Sequence, residues 1–206
     1  MATTVPCTTC GFIHNCICEH QPHLQSHVEF ALLYHENELS KLTNTGRLIL
    51  NSLPKAQSYL WQRKVPPKAL IDKINQENTE TWLLFPSHSP TLSSKYCEYK
   101  NPNKKQLFIL LDATWQEAKK MVNKSSWLKD LPCLEIQATG DSCYHLRRNQ
   151  SQGNLCTCEA GIEVLDMVKE PENAQALFHY YEKFLTVFQA ERSGHEYQPS
   201  ALGSPK

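Results

Sequence analysis

The sequence predicts an α/β fold in which a mainly parallel sheet carries helices on both faces. Short apolar runs of strand length recur at residues 28–34, 81–85 and 107–111. Stretches with helical periodicity lie between them, and strands that alternate with helices pair in parallel. The run at 107–111 has no polar interruption, as in a central strand buried on both faces.

The elements follow in order. Residues 28–34 read as the first strand. Asn44 or Thr45 is placed to cap a helix over the apolar residues 48–53, and Pro54 follows its end. Pro66-Pro67 introduces a helix over residues 68–76, because proline suits the first turn. Residues 81–85 form a strand that Pro86-Ser87 stops. Residues 87–106 are a long polar loop in which Lys95, Lys100, Lys104 and Lys105 alternate with Tyr96 and Tyr99. Such loops in compact domains are usually functional or disordered.

The strand at 107–111 runs directly into Asp112-Ala113-Thr114-Trp115. Thr114 with Glu117 three residues on forms a capping box for a helix over 114–122. A short strand at 133–136 and a loop at 139–153 with Tyr144, Arg147 and Arg148 come next. Residues 155–169 read as a helix. Residues 174–189 read as a final amphipathic helix with Leu177, Tyr180, Tyr181, Phe184, Leu185 and Phe188 on its apolar face. Residues 193–206 are polar and read as a disordered tail.

The chain of 206 residues has a formal net charge of zero, so a polycationic nucleic-acid coat is excluded and any such binding comes from local patches. No run of about 18 apolar residues exists to span a membrane. The first residues lack the basic-then-apolar layout of a secretory signal, so a cytoplasmic protein is expected.

Nine cysteines are an odd and unevenly clustered set, which fits metal binding better than a disulfide framework. Cys7, Cys10, Cys16 and Cys18 form a CxxC-x5-CxC pattern that can close a tetrahedral zinc site with no open position, hence a structural one. Gly11 after the first pair permits a tight turn. His14, His20 and His23 lie near enough to replace one thiolate. Cys97, Cys133, Cys143, Cys156 and Cys158 are scattered; Cys156 and Cys158 form a second half-site or are small buried residues. The chain thus divides into a zinc-binding segment at 1–26, an α/β domain at 27–192, catalytic on the resemblance given below, and a tail at 193–206.

A strand that delivers an acid, a hydroxyl and an indole to its carboxyl end is how open α/β sheets build ligand sites. The same residues also serve simple helix-start chemistry.

The ordered set of motifs resembles the DTW-domain family of tRNA-uridine aminocarboxypropyltransferases. It comprises Cys7/Cys10/Cys16/Cys18, His35-x-x-Glu38, Asn44-Thr45-Gly46, Leu84-Phe85-Pro86-Ser87, Asp112-x-Thr114-Trp115, Tyr144-x-Leu146-Arg147-Arg148 and Cys156-Thr157-Cys158-Glu159-Ala160. Cys156 and Cys158 depart from the pattern, since the family more often has Ser or Thr there. The resemblance implies a knotted SPOUT-like fold that binds S-adenosylmethionine (SAM). It implies transfer of the 3-amino-3-carboxypropyl group of SAM to N3 of a tRNA uridine, with methylthioadenosine as the other product.

Within that frame Asp112 is the general base for the imide proton or a turn cap. Thr114 and Trp115 share its site; Trp115 stacks on a base or packs in the core. Leu84, Phe85 and Pro86 wall the SAM pocket on one side, Leu155 and Thr157 on the other. Glu159 belongs to the site or only starts a helix. Arg147 and Arg148 hold the SAM carboxylate, an RNA phosphate or Glu159. Tyr144, Lys104 and Lys105 belong to the RNA-binding set. The alternatives are a SAM-dependent RNA methyltransferase and a non-catalytic zinc-containing RNA-binding module. Monomer and homodimer are both open.

Overall fold

A computed structural model describes residues 5–38, 40–85, 101, 103–136 and 155–199. Among these, β1 (Glu29–Tyr34), β2 (Ala56–Leu60), β3 (Thr79–Leu84), β4 (Lys105–Asp112) and β5 (Cys133–Leu134) form one sheet in the order β2-β1-β4-β3-β5. Every neighbouring pair is parallel. The helices are α1 (Gly46–Ser52), α2 (Lys68–Ile74), α3 (Trp115–Lys124), α4 (Ser126–Lys129), α5 (Thr157–Met167) and α6 (Pro171–Arg192).

The expected layout holds, and side-chain alternation explains why both faces are covered. Phe30, Leu32, Phe108 and Leu110 point to one face, where α1, α5 and α6 contribute Leu48, Ile49, Val164, Leu165, Leu177 and Phe184. Ala31, Leu33, Leu107 and Ile109 point to the other, where α2, α3 and α4 contribute Leu70, Met121 and Leu128. β4 is central, and six of its eight residues are buried, which accounts for the apolar run.

Several details differ from the sequence expectation, the short helix α4 among them. β2 was not anticipated: its Ala56-Gln57-Ser58-Tyr59-Leu60 sequence has no apolar pattern, and as an edge strand it leaves Gln57 and Ser58 exposed. β4 begins two residues earlier than expected, so Lys105 and Gln106 belong to the strand. Gln106 is buried there because its amide accepts from the Trp82 indole at 3.1 Å and donates to Glu80 at 2.8 Å. The last helix is also longer at both ends, starting on Pro171.

The segment before β1 packs on α6. Phe12 stacks on Phe184 at 5.5 Å and lies 6.2 Å from Phe188. Glu191 accepts the backbone N–H groups of Ile13, His14 and Asn15 at 2.6, 3.0 and 2.9 Å. Burial opposes the charge on Glu191, yet these donors hold its carboxyl below the usual range. Beyond α6, the Asn15 side chain donates to the His195 carbonyl and accepts from the Tyr197 N–H; residues 200–206 lie outside the described residues. No described helix is long and apolar enough to cross a membrane.

Candidate functional site

The carboxyl ends of β1 and β4 lie side by side, with Tyr34 in register with Asp112. Asp112 is only 5% exposed. Its Oδ2 accepts from the Asn44 amide at 2.8 Å, and its Oδ1 accepts from the Thr157 hydroxyl at 2.9 Å. One donor precedes α1 and the other opens α5. The carboxylate therefore joins three segments that are far apart in sequence.

The approach is close enough to need glycine. A Cβ on Gly46 would sit 2.6 Å from Asp112 Oδ2 and 2.8 Å from Leu32 Cδ2. Asn44 is itself fixed: its Oδ1 accepts the Arg47 backbone N–H at 3.3 Å, and its amide also reaches the Glu38 carbonyl at 3.4 Å. Thr45 occupies the cap position of α1 without a side-chain cap bond there. Its hydroxyl instead accepts the backbone N–H of Cys158 at 3.2 Å, tying the start of α1 to the start of α5.

On the other side of Asp112 the expected capping box forms. Thr114 Oγ1 accepts from the Glu117 backbone at 3.3 Å, and Glu117 Oε2 accepts the Thr114 N–H at 2.9 Å. The Asn37 amide donates to Glu117 Oε1 at 2.7 Å. Burial would raise the Glu117 pKa, but Asn37, Thr114 and the nearby Lys41 charge together hold it at about 2. The buried His35 brings its Nδ1 to 3.7 Å from Glu117 Oε1 and stacks on Trp61 at 5.6 Å.

Trp115 is 39% exposed, so the core-indole reading does not describe it. The ring stacks on Phe85 at 5.3 Å and 22°, and Lys119 Nζ lies 4.9 Å from its centroid. Phe85 directly follows β3, beside Leu84, whose register partner in β4 is Leu110. Leu155 lies half-buried just before α5. Glu159 Oε2 accepts the Cys156 N–H at 2.8 Å and so performs the helix-start role.

The sheet's carboxyl edge thus gathers Leu84, Phe85, Asp112, Thr114, Trp115 and Thr157. It does not gather Lys104 and Lys105. Lys105 opens β4 and Asp112 closes it, roughly 23 Å apart at about 3.3 Å per residue. Pro86, Lys95, Tyr96, Lys100, Tyr99, Tyr144, Arg147 and Arg148 lie outside the described residues. Asn44 is the member of the group that sequence reasoning did not name as a site residue. Its signal in the sequence is the Asn44-Thr45-Gly46 triplet, which reads both as a local cap and as one motif of the resemblance.

The sulfur atoms of Cys7, Cys10, Cys16 and Cys18 all lie within 4.8 Å of one another. Individual separations include 3.5 Å for Cys7–Cys18, 3.7 Å for Cys7–Cys16 and 3.8 Å for Cys10–Cys16. Sulfurs about 2.3 Å from a shared tetrahedral ion stand about 3.8 Å from each other, so the cluster fits a zinc-sized metal. Gly11, at φ +78°, makes the turn and donates to the Cys7 carbonyl at 2.9 Å. Backbone N–H groups of Cys10 and Thr9 lower the Cys7 thiol to about 6, whereas burial raises Cys10 and Cys18. His14, His20 and His23 are not part of the cluster. Cys158 is buried in the core and Cys156 meets the Tyr181 hydroxyl at 3.5 Å, which matches their reading as small packed residues.

Among comparisons with known proteins, a family model described as the DTW domain matches residues 5–189. The tRNA-uridine aminocarboxypropyltransferase 2 of Drosophila melanogaster is 25% identical over 169 residues, which cover 79% of this chain and 66% of that protein. The matched span is therefore just under two thirds of the relative's length. No solved structure matches.

Proposed function

The chain belongs to the DTW-domain family, and from that membership we propose that it transfers the 3-amino-3-carboxypropyl group of SAM to N3 of a uridine in tRNA. The observation that carries this reading is the meeting of three dispersed motifs on one carboxylate. Asn44 and Gly46, Asp112 itself, and Thr157 come from separate stretches of the resemblance and converge at one sheet edge. The relative's name supplies the reaction class.

The chemistry needs few groups. The uridine imide gives its N3 proton to a base, and N3 attacks the tail methylene next to the sulfonium. The new N–C bond forms as the C–S bond breaks, and its electron pair returns to sulfur, releasing neutral methylthioadenosine. The sulfonium already supplies the leaving group, so the protein's work is positioning and proton removal. In this reading Asp112 accepts or orients the imide proton, held by Asn44 and Thr157. Trp115, partly exposed, offers its indole to a base taken out of its stack. Leu84, Phe85, Leu155 and Thr157 line the SAM side. Pro86 belongs to that wall, and Arg147 and Arg148 hold the SAM carboxylate or tRNA phosphates.

The all-parallel order β2-β1-β4-β3-β5 supports assignment to the knotted SPOUT-type folds. Cys7, Cys10, Cys16 and Cys18 hold a structural zinc ion, which supplies rigidity and no reaction step.

The test is incubation of the purified chain with unmodified tRNA and SAM, followed by nucleoside mass analysis. A uridine heavier by one aminocarboxypropyl group, with methylthioadenosine released, supports the transferase. A methylated nucleoside with S-adenosylhomocysteine makes it a methyltransferase. RNA binding without any mass shift makes it a binding module.

A further inference from the structure

We propose that Arg47 is a positioning residue that couples the four-cysteine segment to Asp112. Its guanidinium lies between two backbones. Nη1 donates to the carbonyl of Cys10, one of the clustered cysteines, at 2.9 Å, and Nη2 donates to the Lys41 carbonyl at 2.7 Å. The second bond closes residues 41–47 into a cinched loop, because the same side chain holds the loop's first carbonyl from its last residue. Asn44 is the middle of that loop. The Arg47 backbone N–H donates to Asn44 Oδ1, and the Asn44 amide donates to Asp112 Oδ2.

An unbroken path of hydrogen bonds therefore runs from a metal ligand's carbonyl to the carboxylate at the sheet edge. Two further features suit this path. A Cβ at Gly11 would come within 2.5 Å of Arg47 Nη1, so the residue after Cys10 leaves room for the guanidinium to reach the carbonyl. Burial disfavours the Arg47 charge while the Asp112 charge favours it, which shows the two groups in electrostatic range of each other. A planar guanidinium presents its N–H groups to the two carbonyls in a fixed fork, whereas a lysine ammonium is a compact charge with rotatable donors and no such fork.

What the coupling does follows from the geometry. A metal that fixes the Cys10 backbone fixes one end of the Arg47 bridge, which fixes Asn44 and hence the direction of the Asp112 carboxylate. Loss of metal then reaches the reaction pocket through residues 41–47 rather than by general unfolding.

The experiment is hydrogen exchange on the full chain, with and without a zinc chelator, for wild type, Arg47→Met and Arg47→Lys. In wild type, chelation speeds exchange in residues 7–18, in residues 41–47 and around Asp112. In both variants residues 41–47 exchange fast from the start and chelation adds little there, while residues 7–18 still respond. Arg47→Lys keeps the stem and charge, so it serves if Arg47→Met does not fold. Equal loosening of residues 41–47 by chelation in wild type and variants overturns the proposal. So does a wild-type loop indifferent to chelation, or a chain that takes up no zinc.

A second readout rests on the transferase reading. The variants lose about a hundredfold in kcat with KM for SAM little changed, since a reacting group moved by about 1 Å has that effect. Chelation lowers kcat in wild type but not further in the variants, because perturbations along one path are not additive. Exchange coupling without any product from tRNA leaves the coupling in place and sinks the transferase reading. Product formation with no exchange coupling does the reverse.

Discussion

Replacing Gly46 with alanine sets two effects of opposite sign against each other. Gly46 opens α1 and has no left-handed backbone, so alanine suits the conformation and gains at most ~1 kcal/mol of helix preference. Against this, the new Cβ lies 2.6 Å from Asp112 Oδ2, 2.8 Å from Leu32 Cδ2 and 3.0 Å from Asp112 Cγ. Carbon contacts settle near 3.5–4.0 Å. Leu32 is fully buried in the sheet, so the carboxylate must give way. Overpacking of this kind destabilises by about 1–3 kcal/mol. The balance is a net loss of up to about 3 kcal/mol, or a Tm lower by up to roughly 12 °C for a chain of this size. On the proposed transferase reading catalysis suffers more, because moving Asp112 disturbs its bonds to Asn44 and Thr157 together. A loss of about a hundredfold in product formation is expected. Circular dichroism melts and nucleoside mass analysis on the same preparation measure both effects. A Gly46→Ala chain with a raised Tm and full activity would show that Asp112 is not confined as described.

Three further predictions concern the surroundings. Glu191→Gln weakens the charge-assisted bonds to Ile13, His14 and Asn15 and lowers stability by about 1.5–3 kcal/mol at neutral pH. Since the folded carboxyl titrates below its ordinary range, this contribution is complete above that range and fades as pH falls through the lowered value. Melts of both proteins against pH should therefore converge in acid, and a gap that stays constant would refute the assignment. Trp115→Ala leaves the melting temperature within a few degrees, because the residue is 39% exposed, and, on the proposed function, weakens tRNA or SAM binding by about 1–3 kcal/mol in a titration. Unchanged affinity for both ligands would remove Trp115 from the site. The chain should hold about one zinc ion, and Cys10→Ser should abolish its uptake and lower the Tm, as read by metal analysis and calorimetry. Full metal content in that variant would count against the cluster.

The parts of this molecule legible in the sequence are those set by neighbours along the chain. β4 announces itself because a strand buried on both faces must be apolar throughout. The Thr114–Glu117 box is legible because both partners lie within one turn. The cysteine cluster is legible because its pairs are closely spaced. The rest depends on contacts that no local window contains. Thr45 was read as a cap for its own helix, yet its hydroxyl serves the N–H of Cys158. Both are sensible uses of a threonine, and only the packing of α5 beside α1 decides between them. β2 escaped because an edge strand needs no buried face. Lys104 and Lys105, read as RNA-binding because basic residues interleave with aromatics there, stand a strand's length from Asp112, a separation no local window shows.

Glu191 and Arg47 show how such distant pairs give the cysteine segment its place. An acid near the end of an amphipathic helix reads as solvated, and here it is 6% exposed because three backbone donors of the 13–15 turn point at it. An arginine after Asn-Thr-Gly reads as a surface charge, and here it is half-buried against two carbonyls. The two ties lie at different parts of the segment. Glu191 grips the turn between the cysteine pairs, and Arg47 grips the carbonyl of the first pair's second cysteine. Phe12 fills the space between them with an aromatic contact to Phe184. A shift of this segment disturbs its ties to α6 and to the loop before α1. That loop supplies Asn44 to Asp112 and leads into Gly46 at the start of α1, so along the proposed path the direction of the carboxylate answers to a segment that carries none of the sheet.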